Sequence, residues 1–128
     1  MKLGMLLTVN AVVAAVFAIA FIAAPGQLLE MYAVTLNPGS AVVARLFGAS
    51  LVGYAVISWA SRTAAPSEAL KAITIGYFIG DLFGALLSLH GVLTGATNGL
   101  GWSTVAIYAL LGAGFGSFTF GKGAPART

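Results

Sequence analysis

IGYFIGDLFGALLSLHG, residues 75 to 91, sets one aspartate and one histidine in a stretch otherwise dominated by apolar and small residues. The surrounding apolar segment runs from about 67 to 93, longer than the ~20 residues a helix needs to cross about 30 Å of hydrocarbon. Residues do not alternate apolar and polar along it, which excludes a barrel strand and leaves a membrane-spanning helix. Three further segments read the same way, at about 3 to 24, 40 to 61 and 101 to 120. The expected fold is therefore all-α: a single four-transmembrane-helix bundle covering residues 1 to 128.

Composition agrees. The chain is 59% hydrophobic and 7% charged, with a mean hydropathy of +1.00, far from the roughly one-quarter charged content of soluble domains. Cysteine is absent, which excludes disulfides, thiolate metal sites and cysteine catalysis. The first segment imitates a signal peptide, but its apolar run exceeds the roughly 7 to 15 residues of such a core, so a retained helix is expected. Pro25-Gly26 ends it, Asn37-Pro38-Gly39 reads as a turn, and Ser67 behind Pro66 is a candidate N-cap.

The net charge of +3 suggests nucleic acid only until the basic residues are located. Lys2, Arg62, Lys71, Lys122 and Arg127 fall at the two termini and between the second and third segments, which four spans place on one side. The two opposite loops, 25 to 39 and 94 to 100, contain neither lysine nor arginine. The bias predicts cytoplasmic termini in a bacterial inner membrane and no nucleic-acid role. Between the first two spans, GQLLEMYAVTL is too short to cross and should lie along the opposite interface as a helical turn, with Tyr32 at headgroup depth. Trp102 and Trp59 are expected interfacial anchors.

A ruler of 1.5 Å per residue, set from the lysine and arginine level, puts Asp81 at about 15 Å, Asn10 and Tyr54 at about 12 Å, and Tyr77 at about 9 Å. Tyr77 precedes Asp81 by four residues, so both project the same way. These four residues form the candidate intramembrane polar cluster. A charge there costs ~3 kcal/mol on insertion scales, so Asp81 is read either as a protonated hydrogen-bond donor tying helices together or as a proton-coupled group. Arg45, at about 25 Å, and His90, at about 28 Å, lie near the far rim. Glu30 is the carboxylate best placed for Arg45, with Asp81 as the alternative, and Arg45, Glu30 and His90 make the candidate rim cluster.

Small residues mark expected packing faces: Gly76, Gly80 and Gly84 on the third span, Ala49 and Gly53 in the Ala41/Arg45/Ala49/Gly53 row of the second, and Gly112 and Gly116 on the fourth. His90 is the only histidine, so bis-histidine haem ligation cannot be built within one chain. A single haem or chlorophyll-type pigment on His90, with Met31 or Met5 as second ligand, is the remaining cofactor possibility. No catalytic spacing of serine or threonine with a base, no phosphate loop and no internal repeat is present.

The segments PGQLLEMYAVTLNPGSAVVARLFGASLVGYAVISWASR and NGLGWSTVAIYALLGAGFG resemble a group of small bacterial four-helix membrane proteins classed as domains of unknown function, loosely akin to DoxX-like proteins. The shared feature is the opening of the second helix, here Ala44, Arg45, Leu46, Phe47, Gly48 and Ala49. The resemblance implies a bacterial inner-membrane protein and carries no activity with it. Together these readings point to a non-catalytic membrane subunit whose partners are the bilayer and either a copy of itself or a larger complex. A small proton-linked permease using Asp81 and Arg45 is the alternative.

Overall fold

In the computed structural model, which describes residues 1–121, five helices follow one another: α1 (Leu3–Ala23), α2 (Pro25–Glu30), α3 (Pro38–Ser61), α4 (Glu68–Leu93) and α5 (Gly101–Phe120). Lys122 and Arg127 lie outside the described residues. The four long helices, α1, α3, α4 and α5, are each long and apolar enough to cross a membrane, and no strand occurs among the described residues. The chain is an all-α, multi-pass membrane fold.

Helix ends follow local chemistry. The Asn37-Pro38-Gly39 turn proves to be a helix start, two residues ahead of the expected Ser40. The Asn37 side chain accepts the Ser40 N–H at 2.8 Å while the Ser40 hydroxyl accepts the Asn37 N–H at 2.9 Å, and Pro38 supplies a φ already suited to the first helical position. Pro25 acts similarly, closing α1 and opening α2. Ser67 caps α4 as expected, its hydroxyl accepting the Leu70 N–H at 3.1 Å. The short α2 ends with Ala33 at φ 62°, where the Ala33 N–H bonds to Glu30 and the Val34 N–H to Leu29, each at 2.9 Å. This closure normally takes glycine, because a Cβ is disfavoured in the left-handed region.

The spans pack as two antiparallel pairs, α1 with α3 and α4 with α5, joined chiefly where α1 meets α5. Burying apolar area between helices gains little in lipid, so close backbone approach matters more. In the α4/α5 pair, a Cβ on Gly84 would collide with the Tyr108 ring, one on Gly116 would meet Phe78 at 2.8 Å, and one on Gly112 would meet Asp81 Cβ at 3.2 Å. Those three glycines lie at the α4/α5 contact. The α3 face differs by one position: Ala44 and Gly48 are buried, whereas Ala49 and Gly53 are exposed. A Cβ on Gly48 would stand 3.2 Å from the Ala18 carbonyl and 2.8 Å from Ile22. The small-residue row starting at Ala44 therefore meets α1, and the row through Arg45 turns away.

Leu6 and Leu7 of α1, Leu70 of α4 and Phe115 of α5 form the buried apolar cluster joining the pairs. Gly114 admits it, since Leu6 lies 3.0 Å from where its Cβ would be.

Gly76 and Gly80 differ from Gly84, having nothing within 4 Å of an added Cβ. Gly84→Leu should therefore destabilise the protein by about 1 to 3 kcal/mol, the cost of overpacking a close contact. Gly80→Leu should stay within about 0.5 kcal/mol, as expected for an open site. Reversible unfolding in mixed detergent micelles measures both.

Candidate functional site

The polar groups inside the bundle are arranged around a residue absent from the expected cluster, Ser58. Its side chain is completely buried at 0% exposure. The Asn10 amide of α1 donates to the Ser58 hydroxyl at 2.8 Å, the Ser58 hydroxyl donates to the Tyr77 hydroxyl of α4 at 2.8 Å, and Tyr77 donates to the Tyr54 carbonyl of α3 at 3.0 Å. One directed chain of hydrogen bonds thus crosses three helices and returns to the backbone. Each hydroxyl donates once and accepts once, the arrangement that makes a buried polar network favourable.

Aromatic packing fixes the chain. The Tyr77 ring meets Tyr54 edge-on with centroids 6.2 Å apart, and it packs against buried Phe115 at 5.1 Å. Asn10 and Tyr77 thus share Ser58 as a hydrogen-bond partner. Tyr54 contributes its backbone carbonyl and ring edge rather than its hydroxyl, because its own side chain is exposed. A Ser58 signal existed in the sequence: Ala44, Gly48 and Ser58 share the stripe that faces α1, but locating that stripe requires knowing its register.

Asp81 is not part of the chain. No hydrogen bond joins it to Asn10, Tyr54 or Tyr77 among the described residues: Asn10 donates to Ser58 and Tyr77 to the Tyr54 carbonyl. Its Oδ2 is buried without a hydrogen-bond partner among the described residues. Gly112 of α5 lies beside its Cβ. An ionisable side chain at this depth in a span is costly without a partner, which makes Asp81 the least satisfied polar group of the helix pair.

The rim residues are spread out. Arg45 is exposed and donates from Nε to the Ile22 carbonyl at 3.3 Å, near the end of α1, rather than to Glu30. Glu30 ends α2 and is exposed, while His90 is exposed on the other helix pair. No hydrogen bond or ion pair among the described residues joins these three side chains. No group of three histidine, aspartate or glutamate residues able to hold a metal ion occurs there either.

The actual tie at this end comes from Asn98. Its side chain donates to the Met31 carbonyl at 2.9 Å and its N–H to the Tyr32 carbonyl at 3.0 Å. Thr104 donates to the Tyr32 hydroxyl at 3.2 Å. The loop after α2 is thereby bonded to the α4/α5 turn.

The hydrogen-bond chain defines a coupling experiment. Interhelical hydrogen bonds in membranes contribute about 0.6 kcal/mol on average and up to about 1.7. Asn10→Ala and Ser58→Ala should each destabilise the bundle on this scale, and the double variant should cost less than the sum of the two. Strict additivity in a double-mutant unfolding cycle would show that the pair does not interact.

Comparison with known proteins gives a family and no activity. Neither a curated protein nor a solved structure matches the chain. A family model described as "Domain of unknown function (DUF8292)" matches residues 1–120, nearly all of the sequence. The chain, with its two stapled helix pairs, belongs to the DUF8292 family.

Proposed function

We propose that the protein is a non-catalytic subunit of a bacterial inner-membrane assembly, packing the open faces of α3 and α4 against a second copy or the helices of a larger complex. The observation that carries this reading is the divided use of small residues. Gly84, Gly112 and Gly116 are consumed within the chain, whereas Gly53, Gly76 and Gly80 have nothing within 4 Å of an added Cβ. Exposed glycines at four-residue spacing let a neighbouring helix come close in lipid, where dispersion and Cα–H contacts drive association.

Topology belongs to the same proposal. The lysines and arginines flanking the spans support cytoplasmic termini, and the loops around Met31 and Asn98 then face the opposite side. Small size and four-span topology support a loose kinship with DoxX-like proteins, and the Ala44–Ala49 segment supports a bacterial origin.

One observation favours the permease reading: the unpartnered Oδ2 of Asp81. An unpartnered acid inside a span is the kind of group that proton-linked transport uses.

The natural absence of cysteine makes single-cysteine variants direct probes. Gly80→Cys should form a disulfide-linked dimer or a cross-link to a co-purifying membrane protein on mild oxidation, while Leu110→Cys, on the lipid-facing side of α5, should not. Monomeric Gly80→Cys under all conditions would overturn the packing proposal. In intact cells a membrane-impermeant maleimide should label Met31→Cys and spare Ala64→Cys; the reverse pattern would overturn the topology. A pH-driven flux in proteoliposomes that Asp81→Asn abolishes, with assembly intact, would replace the subunit reading by the permease.

A further inference from the structure

We propose that a cleft at the terminal end of the bundle binds the phosphate headgroup of an anionic membrane phospholipid. The cleft has a volume of about 510 Å³, within the range of roughly 300 to 1,000 Å³ typical of small-ligand sites. That space suits a headgroup, its glycerol and the first methylenes, leaving the rest of the acyl chains among bulk lipid. Lys2, Ser61 and Arg62 contribute its polar wall, and Leu7, Leu70 and Phe118 its apolar wall. No acidic residue lines it among the described residues.

Ser61 is the most specific of these observations. It is nine-tenths buried, at 9% exposure, it lines the cleft, and its hydroxyl makes no hydrogen bond to the described residues. A hydroxyl that opens onto the cleft and has no protein partner is free to bond a headgroup oxygen there. Arg62 beside it is held in place: its guanidinium lies 3.6 Å from the centroid of the Trp59 ring and donates to the Trp59 carbonyl. A guanidinium has five N–H donors, so this bond leaves others for a phosphate.

The start of α1 adds to the same site. Lys2 occupies the N-cap position without a side-chain cap bond, so the first N–H groups of a 21-residue helix remain available beside the lysine charge. These N–H groups and the helix dipole favour an anion. Close approach of α1 to the end of α3 depends on Gly4, since a Cβ there would collide with the Arg62 carbonyl.

The apolar wall distinguishes a lipid from a free anion. Leu7, Leu70 and Phe118 continue the cleft toward the interior of the bundle, and Trp59, half exposed at 51%, marks the same level as an interfacial residue. The accessible part of that wall comes from Leu3 and Phe118, both half-buried; an inorganic ion would leave it wet, whereas a glycerolipid covers it. The inference requires only that the helices span a bilayer and is independent of what the protein assembles with.

The test is native mass spectrometry of the full chain in uncharged detergent, offered phosphatidylglycerol and phosphatidylcholine in equal amounts. Phosphatidylglycerol should be retained preferentially, and the Lys2→Gln/Arg62→Gln double variant should reduce its retention about tenfold, as expected for two cations at an anionic headgroup. Ser61→Leu should also reduce it by filling the cleft. Lys71→Gln, an equal charge change outside the cleft lining, should leave retention intact. The exposed Lys2→Gln alone keeps the test decisive if Ser61→Leu fails to fold. Equal retention of both lipids, no loss in the double variant, or an equal loss in Lys71→Gln would overturn the site. Displacement of the lipid by millimolar inorganic phosphate would assign a soluble anion instead and overturn the phospholipid.

Discussion

A serine hydroxyl sealed inside a membrane bundle must both donate and accept, and Ser58 does so between two different helices. Asn10 supplies the donor from α1 and Tyr77 the acceptor from α4, each at 2.8 Å. Lipid offers no replacement for either bond, so the rotation of α1, α3 and α4 is set together. The apolar cluster of Leu6, Leu7, Leu70 and Phe115 assembles beside it. Because the two helix pairs meet chiefly where α1 crosses α5, this polar tie counts for more than in a tightly wound bundle.

The remaining features follow from joining two hairpins rather than forming four equivalent helices. Glycines are consumed where partners within a hairpin approach, at Gly48 of α3 against α1 and at Gly84, Gly112 and Gly116 between α4 and α5. At the far end, Asn98 and Thr104 bond the second hairpin to the segment after α2. At the terminal end, Gly4 lets the start of α1 meet the end of α3. What the hairpins do not cover, namely Gly76, Gly80 and the Arg45 face of α3, remains available to lipid or to another protein.

Much of this was legible from residues 75 to 91 outward. Hydropathy and length locate the four spans to within a few residues, because backbone groups in lipid leave no alternative to helices. The exceptions were chemical: Asn37-Pro38-Gly39 combines turn residues with a capping box, and only the Ser40 hydroxyl bonded back to Asn37 reveals a helix start. The depth ruler brought Asn10, Tyr54, Tyr77 and Asp81 to nearby heights but could not assign rotation about each helix axis. An error of one residue turns a helix by about 100°. That is why Ala44 and Gly48 replace Ala49 and Gly53 on the α1 face, why Ser58 was missed, and why Asp81 stands beside the hydrogen-bond chain rather than within it. Arg45 and Glu30 were matched by height and charge, yet Arg45 lies within reach of the Ile22 carbonyl.

The most direct measurement is solid-state NMR of the protein in lipid bilayers, with the Asn10 side-chain amide and the Tyr77 ring isotopically labelled. A through-space correlation between the Asn10 amide and Tyr77, lost in Ser58→Ala, is the expected result. A Tyr77 ring that correlates with lipid acyl chains but not with Asn10, in a protein whose helices remain intact, would contradict the hydrogen-bond chain on which the joining of the two hairpins rests.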